Sequence, residues 1–288
     1  MVFSLFSQWY SQARQQAIAA EIDISELDWL VFTLLKSDRL ALRLGNIHPQ
    51  PTQLQLLDQK WQQRLQEHCP VQYLANKAYW RDLELKVAPG VLIPRPETEL
   101  MIDLVQQWHS PSEDPEIWLD LGTGSGILAI ALAQTLPHAQ IHAIDLSPQA
   151  LAIAQENGHK YHLEQRITWY QGSWFEPIHH LKGQINGMVA NPPYIPTQII
   201  PTLPPQIAHH EPHLALNGGG NGLEAIAHLV TQAPLYLAPG AFWLVEVMAG
   251  QAPQVCDLLA SQKSYTQIQV HFDQSGIARF VAAKLVQS

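Results

Sequence analysis

Apolar residues recur with a helical spacing over residues 1–75. After Ser25 they fall on one face of a helix, at Leu27, Leu30, Val31, Leu34 and Leu35. Because serine and threonine side chains cap helix N-termini, we expect one helix to begin at Ser25 and another at Thr52. The pattern predicts a small helical bundle.

From residue 82 the period shortens to two residues, which is typical of a strand. Leu83, Leu85 and Val87 alternate with polar residues, and Pro89-Gly90 is a turn signal before residues 91–93. We therefore predict a β-hairpin that turns at Pro89-Gly90. A helix is expected to start at Pro96, with a polar linker over residues 110–116 after it.

The rest of the chain alternates strand patterns with helical patterns such as 127–136 and 148–157. Strands are predicted over residues 117–121, 140–144, 167–170, 185–190, 241–247 and 266–272. This alternation predicts an α/β fold whose mostly parallel sheet is covered on both faces. The connection to a last strand, 278–285, is too short for a crossover helix, so that strand should pair antiparallel.

Composition and charge narrow the class of protein. With 288 residues, 47% of them apolar, the chain is long enough for one large and one small globular domain. It has no membrane-spanning run and no export signal, and Cys69 and Cys256 are isolated, so we expect a cytoplasmic location. The net charge of -9 arises after residue 93, which argues against stable nucleic-acid binding and favours a basic protein partner.

A glycine-rich turn follows the predicted strand 117–121. Its glycines alternate, and this spacing favours S-adenosylmethionine over a pyrophosphate; the turn residues are Gly122, Thr123, Gly124, Ser125 and Gly126. Asp145 ends the next strand, where a carboxylate can accept both ribose hydroxyls. After the third strand, Ser173 is expected at the adenine edge and Trp174 on its ring, unless Trp174 and Phe175 are core aromatics.

Asn191, Pro192, Pro193 and Tyr194 follow the apolar strand 185–190. The Asn191 side-chain carbonyl can accept one N–H of a planar NH2 group, a backbone carbonyl left free by the prolines can accept the other, and Tyr194 can cover the flat face. Alone, the four residues can also be a tight turn. Together with the glycine turn and Asp145 at one sheet edge, they predict a methyl-transfer site.

These motifs resemble those of the HemK/PrmC-type protein-(glutamine N5) methyltransferases that modify peptide-chain release factors. The matching segments cover most of residues 70–285 and include the block 93–99, Ile-Pro-Arg-Pro-Glu-Thr-Glu. The resemblance implies a Rossmann-like, seven-stranded class I methyltransferase domain over residues 97–288. It also implies a substrate-recognising helical bundle over residues 1–75 and a hairpin linker over residues 76–96.

By the same resemblance, the donor is S-adenosylmethionine, the product is S-adenosylhomocysteine and the acceptor is the glutamine of a release-factor Gly-Gly-Gln loop. Asn191 to Tyr194 would hold the amide, Asn191 would also line the cofactor, and Arg95 would tie the hairpin to the domain. Many family members have Asp where this chain has Ser173, which affects the expected adenine contact. The family tends to show a glycine after the position of Glu246, but here Val247-Met248 come before Gly250-Gln251, and the sequence assigns this segment no role beyond packing.

Three other functions use similar residues. A ribosomal-protein glutamine methyltransferase would share the whole site, and an adenine-N6 or guanine-N2 nucleic-acid methyltransferase would share the pocket but needs a basic groove. A non-enzymatic protein would bind the cofactor without methyl transfer. The histidines of residues 209–213 lie in a Pro-rich loop, predicted as a lid over residues 197–216, and we expect no metal there.

Overall fold

The computed structural model describes residues 5–109 and 114–287. Its N-terminal part is helical, as predicted: α1 (Leu5–Ala19), α2 (Ile24–Leu35), α3 (Arg39–Arg43), α4 (Pro51–Glu67) and α5 (Val71–Ala75). These helices enclose their own core, with Leu27, Leu57 and Trp61 fully buried. The predicted caps are wrong, because Asp23 rather than Ser25 caps α2, and Gln50 precedes α4 with Pro51 at its first position.

A β-hairpin follows, but it turns at a different place from the one predicted. Strand β1 (Lys77–Trp80) pairs with β2 (Leu83–Lys86), and Trp80 lies opposite Leu83, so Arg81 and Asp82 form the turn. Residues 91–93 form no strand: Pro94 and Pro96 remove backbone donors beside them, and Val91 and Ile93 are buried in two separate clusters.

The hairpin leads into the main domain through a 3-10 helix (Pro96–Glu99) and α6 (Leu100–Trp108), so the predicted start at Pro96 is confirmed. Most of the predicted linker, residues 110–113, lies outside the described residues, and Glu116 already belongs to the next strand. The elements that follow alternate as expected: β3 (Glu116–Leu121), α7 (Ile127–Thr135), β4 (Ala139–Asp145), α8 (Pro148–Lys160), β5 (Ile167–Gln171) and β6 (Ile185–Ala190).

The C-terminal third completes the sheet. Its helices are α9 (Pro205–Ala208), α10 (His213–Leu216), α11 (Glu224–Gln232) and α12 (Ala252–Gln262), and its strands are β7 (Leu237–Glu246), β8 (Tyr265–Phe272) and β9 (Ala278–Leu285). Short 3-10 helices lie at Glu176–Leu181, Ile200–Thr202 and Ala233–Leu235.

The seven strands run in the order β5-β4-β3-β6-β7-β9-β8. Strands β3 to β7 are parallel, whereas β9 is antiparallel to β7 and to β8, which confirms the expectation for the last strand. Apolar clusters cover both faces, as a parallel sheet requires. This is the class I methyltransferase sheet, joined to an N-terminal helical region. Within the described ranges, no helix combines the length and apolarity needed to cross a membrane.

Candidate active site

The site lies where parallel strands end side by side. Strands β3, β4 and β6 are neighbours, and their carboxyl ends are Leu121, Asp145 and Ala190. The strand order reverses at this point: β4 and β5 are added on one side of β3, whereas β6 and β7 are added on the other side. Open α/β sheets bind ligands in the crevice at such a point.

A cleft of about 260 Å³ opens there. Nearly all of the predicted cofactor residues line it, namely Gly122, Thr123, Gly124, Ser125, Asp145, Ser173, Trp174 and Asn191. Gly126 has a different surrounding: a Cβ at this position would lie 3.0 Å from Ala154 Cβ and 3.2 Å from the Trp169 ring. Its absent side chain therefore permits close packing of α7 against α8 and β5.

The glycine turn is held from both sides by carboxylates. Gly122 and Gly124 have φ of 77° and 56°, which favours glycine. The Gly124 N–H donates to Asp145 Oδ2 at 2.8 Å, and the Ser147 N–H donates to Asp145 Oδ1 at 2.8 Å. Each carboxylate oxygen keeps a further lone pair, so Asp145 can still accept ribose hydroxyls. Burial raises the pKa of Asp145, and these two N–H donors oppose that rise.

Asp120 supports the turn from below and is completely buried. Its Oδ2 accepts from the Thr123 hydroxyl at 2.5 Å and from the Ala129 N–H at 3.0 Å. Burial raises the pKa of Asp120 to about 7. Within the part of the chain that the structure describes, Asp120 Oδ1 has no hydrogen-bond partner.

Two leucines in the cleft expose apolar surface that the sequence analysis did not assign to the site. Leu146 is 51% exposed directly after Asp145, and Leu214 is 54% exposed on α10. Trp174 also lines the cleft while packing on the core, and Phe175 is buried against Tyr236 with ring centroids 4.6 Å apart. Of the two aromatics, only Phe175 is thus a fully buried core residue. This wall suits a flat, partly apolar ligand such as an adenine.

Asn191 lines this cleft and also a second cavity of about 240 Å³, as do Leu92, Arg95 and Ala215. Pro193 lines the first cavity, whereas Pro192 and Tyr194 line the second. The rest of the second wall is mostly apolar and contains two arginines, Arg95 and Arg279. A group that enters the second cavity can therefore contact Asn191, which also lines the predicted cofactor cleft.

The Gln251 side chain holds the Asn191–Tyr194 turn in place through hydrogen bonds to the backbone. Gln251 Nε2 donates to the Tyr194 carbonyl at 2.9 Å, and the Met248 N–H donates to Gln251 Oε1 at 3.0 Å. Gln251 therefore holds the turn through hydrogen bonds, a role that the sequence did not reveal. Among residues 5–109 and 114–287, no hydrogen-bond donor contacts the Pro192 or Pro193 carbonyl.

The 197–216 segment closes one side of both cavities. Arg95 Nη2 donates to Glu211 Oε1 at 2.6 Å, and the Glu211 side chain is 1% exposed. The expected structural contact of Arg95 is therefore present. His210 Nε2 lies 2.6 Å from the Glu67 carbonyl and His213 Nε2 lies 3.2 Å from the Ala208 carbonyl. In the described chain, no three metal-ligating side chains converge.

Proteins with similar sequences are methyltransferases. The model of the ribosomal protein L11 methyltransferase (PrmA) family matches residues 95–216. A release factor glutamine methyltransferase from Synechocystis is 49% identical over 286 residues, covering 97% of this chain and 96% of the relative. Another, from Gloeobacter violaceus, is 39% identical and covers 95% of this chain and 94% of the relative.

This chain belongs to the release factor glutamine methyltransferase family.

Solved structures support the fold. The hMettl16 catalytic domain, in complex with the MAT2A 3'UTR hairpin 1, has a TM-score of 0.56 at 13% identity, covering 91% of this chain and 94% of that one. A methyltransferase from Pyrococcus furiosus has a TM-score of 0.51 at 14% identity, covering 81% and 97%. Both likenesses show the methyltransferase fold that this family shares.

Two polar residues of this family member were missed as site residues by sequence reasoning. Thr98 is 3% exposed and Glu246 is 2% exposed. Thr98 Oγ1 donates to Glu246 Oε2 at 2.6 Å, and the Tyr194 hydroxyl donates to Glu246 Oε1 at 3.0 Å. For Glu246, the available signal was its position directly after the apolar residues 241–245 of a predicted strand. The pattern did not show which residues Glu246 would face in the fold.

Proposed function

We propose that this glutamine methyltransferase transfers a methyl group from S-adenosylmethionine to the side-chain amide nitrogen of the Gly-Gly-Gln glutamine of a peptide-chain release factor. The observation that carries the proposal is the position of Asn191. Asn191 lines both the glycine-lined cleft and the mostly apolar second cavity, so it can contact a group bound in either one.

The donor would lie in the first cavity. Asp145 has the free lone pairs to bind ribose hydroxyls, Leu146 and Trp174 offer apolar surface to adenine, and Gly122 and Gly124 let the backbone approach the amino-acid portion. Ser173 lines the same cavity, where it would take the place of the aspartate found in many relatives. Bound there, S-adenosylmethionine supplies an electrophilic methyl group.

The acceptor glutamine would enter through the second cavity. The Asn191 Oδ1 and the Pro192 carbonyl would accept the two N–H groups of the amide, and Tyr194 would cover its face. These acceptors would stabilise the positive charge that develops on the amide nitrogen as its bond to the methyl carbon forms and the bond from that carbon to the donor sulfur breaks. S-adenosylhomocysteine would be the leaving group, and the proton lost from nitrogen would go to solvent. No general base is assigned, so positioning and electrostatics would supply most of the rate.

The partner proposal includes the N-terminal bundle. His210 connects the 197–216 segment to Glu67 at the end of α4, so a protein bound on the bundle would lie close to the second cavity. The cytoplasm is the proposed location, because translation termination takes place there. The acidic charge balance after residue 93 favours a basic protein surface over a phosphate backbone.

The test is methyl transfer from labelled S-adenosylmethionine to purified release factor, with the label located by mass spectrometry. We expect Asn191→Ala to lower turnover by about 100-fold while the protein stays folded, because one aligned acceptor is lost. Gln262→Ala, which also removes a side-chain amide, lies at the exposed end of α12 and lines neither cavity; it is the control and should act as wild type.

A release factor with Gly-Gly-Ala in place of Gly-Gly-Gln is the acceptor control and should receive no label. Label on that variant, or preferential label on a ribosomal protein or on RNA, would contradict the proposed acceptor. Near-normal turnover by Asn191→Ala would contradict the proposed role of Asn191.

A further inference from the structure

A buried row of polar side chains leads away from the Asn191 carboxamide. Asn191 Nδ2 lies 3.2 Å from Thr98 Oγ1, and Thr98 Oγ1 lies 2.6 Å from Glu246 Oε2. The Tyr194 hydroxyl reaches the other oxygen, Glu246 Oε1, at 3.0 Å. The row thus begins and ends on the Asn191–Tyr194 turn, and its centre is a carboxylate sealed from solvent at the end of β7.

The number of available hydrogens fixes the direction of every hydrogen bond in this row. An ionised carboxylate only accepts, so both the Thr98 and the Tyr194 hydroxyls must donate to Glu246. A threonine hydroxyl has one hydrogen, and once that hydrogen is directed to Glu246 only lone pairs face Asn191. The group of Asn191 that meets Thr98 must therefore be the NH2 group, as the contact shows.

On balance its surroundings raise the pKa of Glu246, so the ionised form is supported by geometry: each of the two carboxylate oxygens accepts a hydroxyl. Burial and the negative charge of Glu97 raise the pKa of Glu246, whereas the two hydroxyl donors and the positive charge of Arg279 lower it. Without a carboxylate, the Thr98 hydroxyl would be free to donate to Asn191 Oδ1, and the hydrogen bond would no longer fix the orientation of the carboxamide.

We infer that Thr98 and Glu246 are positioning residues that fix the Asn191 carboxamide with its Oδ1 towards the acceptor. This inference rests on the proposed function and adds the basis of its specificity. An oxygen fixed at that point attracts a substrate that brings N–H hydrogens, such as a carboxamide, and repels a carboxylate. A flipped Asn191 would present its own N–H groups, attract the carbonyl oxygen of the acceptor and turn the nitrogen away.

The test compares Thr98→Val with Thr98→Ser. Valine has the shape of threonine but lacks the hydroxyl, so we expect kcat to fall by about 10- to 100-fold. The dissociation constant for S-adenosylmethionine, measured by calorimetry, should stay within about 2-fold, because the cleft keeps its shape. Serine restores the hydroxyl, and kcat should return to within about 3-fold of wild type.

Thr231→Val is the matched control, since Thr231 lies on α11, lines neither cavity and donates its hydroxyl to the Ala227 carbonyl of the same helix. It should leave both kcat and the dissociation constant near their wild-type values. Thermal unfolding of all three variants separates misfolding from loss of orientation. If Thr98→Val fails to fold, the Thr98→Ser result decides: the inference requires a folded, active serine variant.

The outcomes distinguish this inference from the function on which it rests. A wild-type protein that labels no release-factor glutamine overturns the proposed function, and the inference with it. Wild-type transfer together with an unchanged kcat for Thr98→Val overturns the inference alone. So does a Thr98→Ser variant that folds but is as slow as Thr98→Val, because the hydroxyl would then not be the decisive group.

Discussion

At the residue scale, the carboxyl group of Asp120 is a titratable group buried next to the site. It is fully buried under the glycine turn, and only one of its oxygens has hydrogen-bond partners in the described chain. Desolvation raises its pKa to about 7, well above the ordinary value of an aspartate. A group with such a shift makes the stability of the fold depend on pH.

We predict that Asp120→Asn changes this pH dependence. Between about pH 4 and pH 7 the folded wild type holds a proton that the unfolded chain has released, so its free energy of unfolding falls as pH rises. Asparagine does not titrate. The free energy of unfolding of the variant, relative to wild type, should therefore rise by roughly 2 to 4 kcal/mol from pH 4 to pH 7.

Urea unfolding at several pH values measures this difference. Asp257→Asn, at an exposed position on α12, is the matched control. A difference between Asp120→Asn and wild type that stays constant across the range would show that Asp120 is ionised in the folded state throughout.

At the scale of elements, the loop that follows α10 holds the Asn191–Tyr194 turn by close backbone contact. Ile195 forms an isolated parallel bridge with Asn217, and the Gly218 N–H donates to the Ile195 carbonyl at 2.9 Å. A Cβ on Gly218 would lie 2.7 Å from the Pro193 carbonyl oxygen and 2.8 Å from Tyr194 Cα. The glycine is therefore needed for the approach of one backbone to another.

We predict that Gly218→Ala impairs both stability and turnover. The backbone must shift to accept the methyl group, which should lower the free energy of unfolding by about 1 to 3 kcal/mol. The same shift displaces Pro193 and Tyr194, so kcat should fall by at least about 10-fold.

Gly220→Ala is the control in the same loop, because its Cβ would meet only Glu224 Oε1, at 4.0 Å. Unfolding curves and methyl-transfer rates of the two variants make the comparison. Equal behaviour of the two variants would mean that the loop does not hold the turn.

At the scale of the whole molecule, a small apolar cluster joins the helical bundle to the hairpin segment that precedes the methyltransferase sheet. It contains Tyr73 from α5 together with Ala78, Val87 and Ile93 from the hairpin region. The Tyr73 hydroxyl donates to the Val91 carbonyl at 2.6 Å, and Val91 lines the cofactor cleft. A contact made by the bundle thus reaches the wall of the site.

We predict that Tyr73→Phe lowers the free energy of unfolding by about 1 to 3 kcal/mol, because it leaves the buried Val91 carbonyl without its donor. Tyr79→Phe removes a hydroxyl from a side chain that is 51% exposed and should cost less than about 0.5 kcal/mol. Chemical denaturation of both variants checks the contrast. A Tyr73→Phe variant as stable as Tyr79→Phe would show that this contact does not stabilise the fold.

Local patterns in the sequence were enough for the order and type of most elements. Strand β6 lies at residues 185–190 as predicted, and the short connection before Ala278 required the antiparallel pairing that β9 shows. The glycine turn and Asp145 could also be placed at one sheet edge, because the carboxyl ends of parallel strands meet there. The predicted hairpin began one strand too late, because a four-residue strand such as β1 is too short to show a clear period.

The individual strands, the glycine turn and the Asn191–Tyr194 turn could be predicted from the chain alone, because each is formed by residues that are close together in it. The strand order and the surroundings of the two turns became known from the folded structure. Thr98 and Glu246 meet across 148 positions, and Gln251 reaches Tyr194 across 57. Neither contact follows from a local period. The choice of partner for a buried polar group depends on which distant segments the sheet brings together, since burial leaves it no solvent to bond.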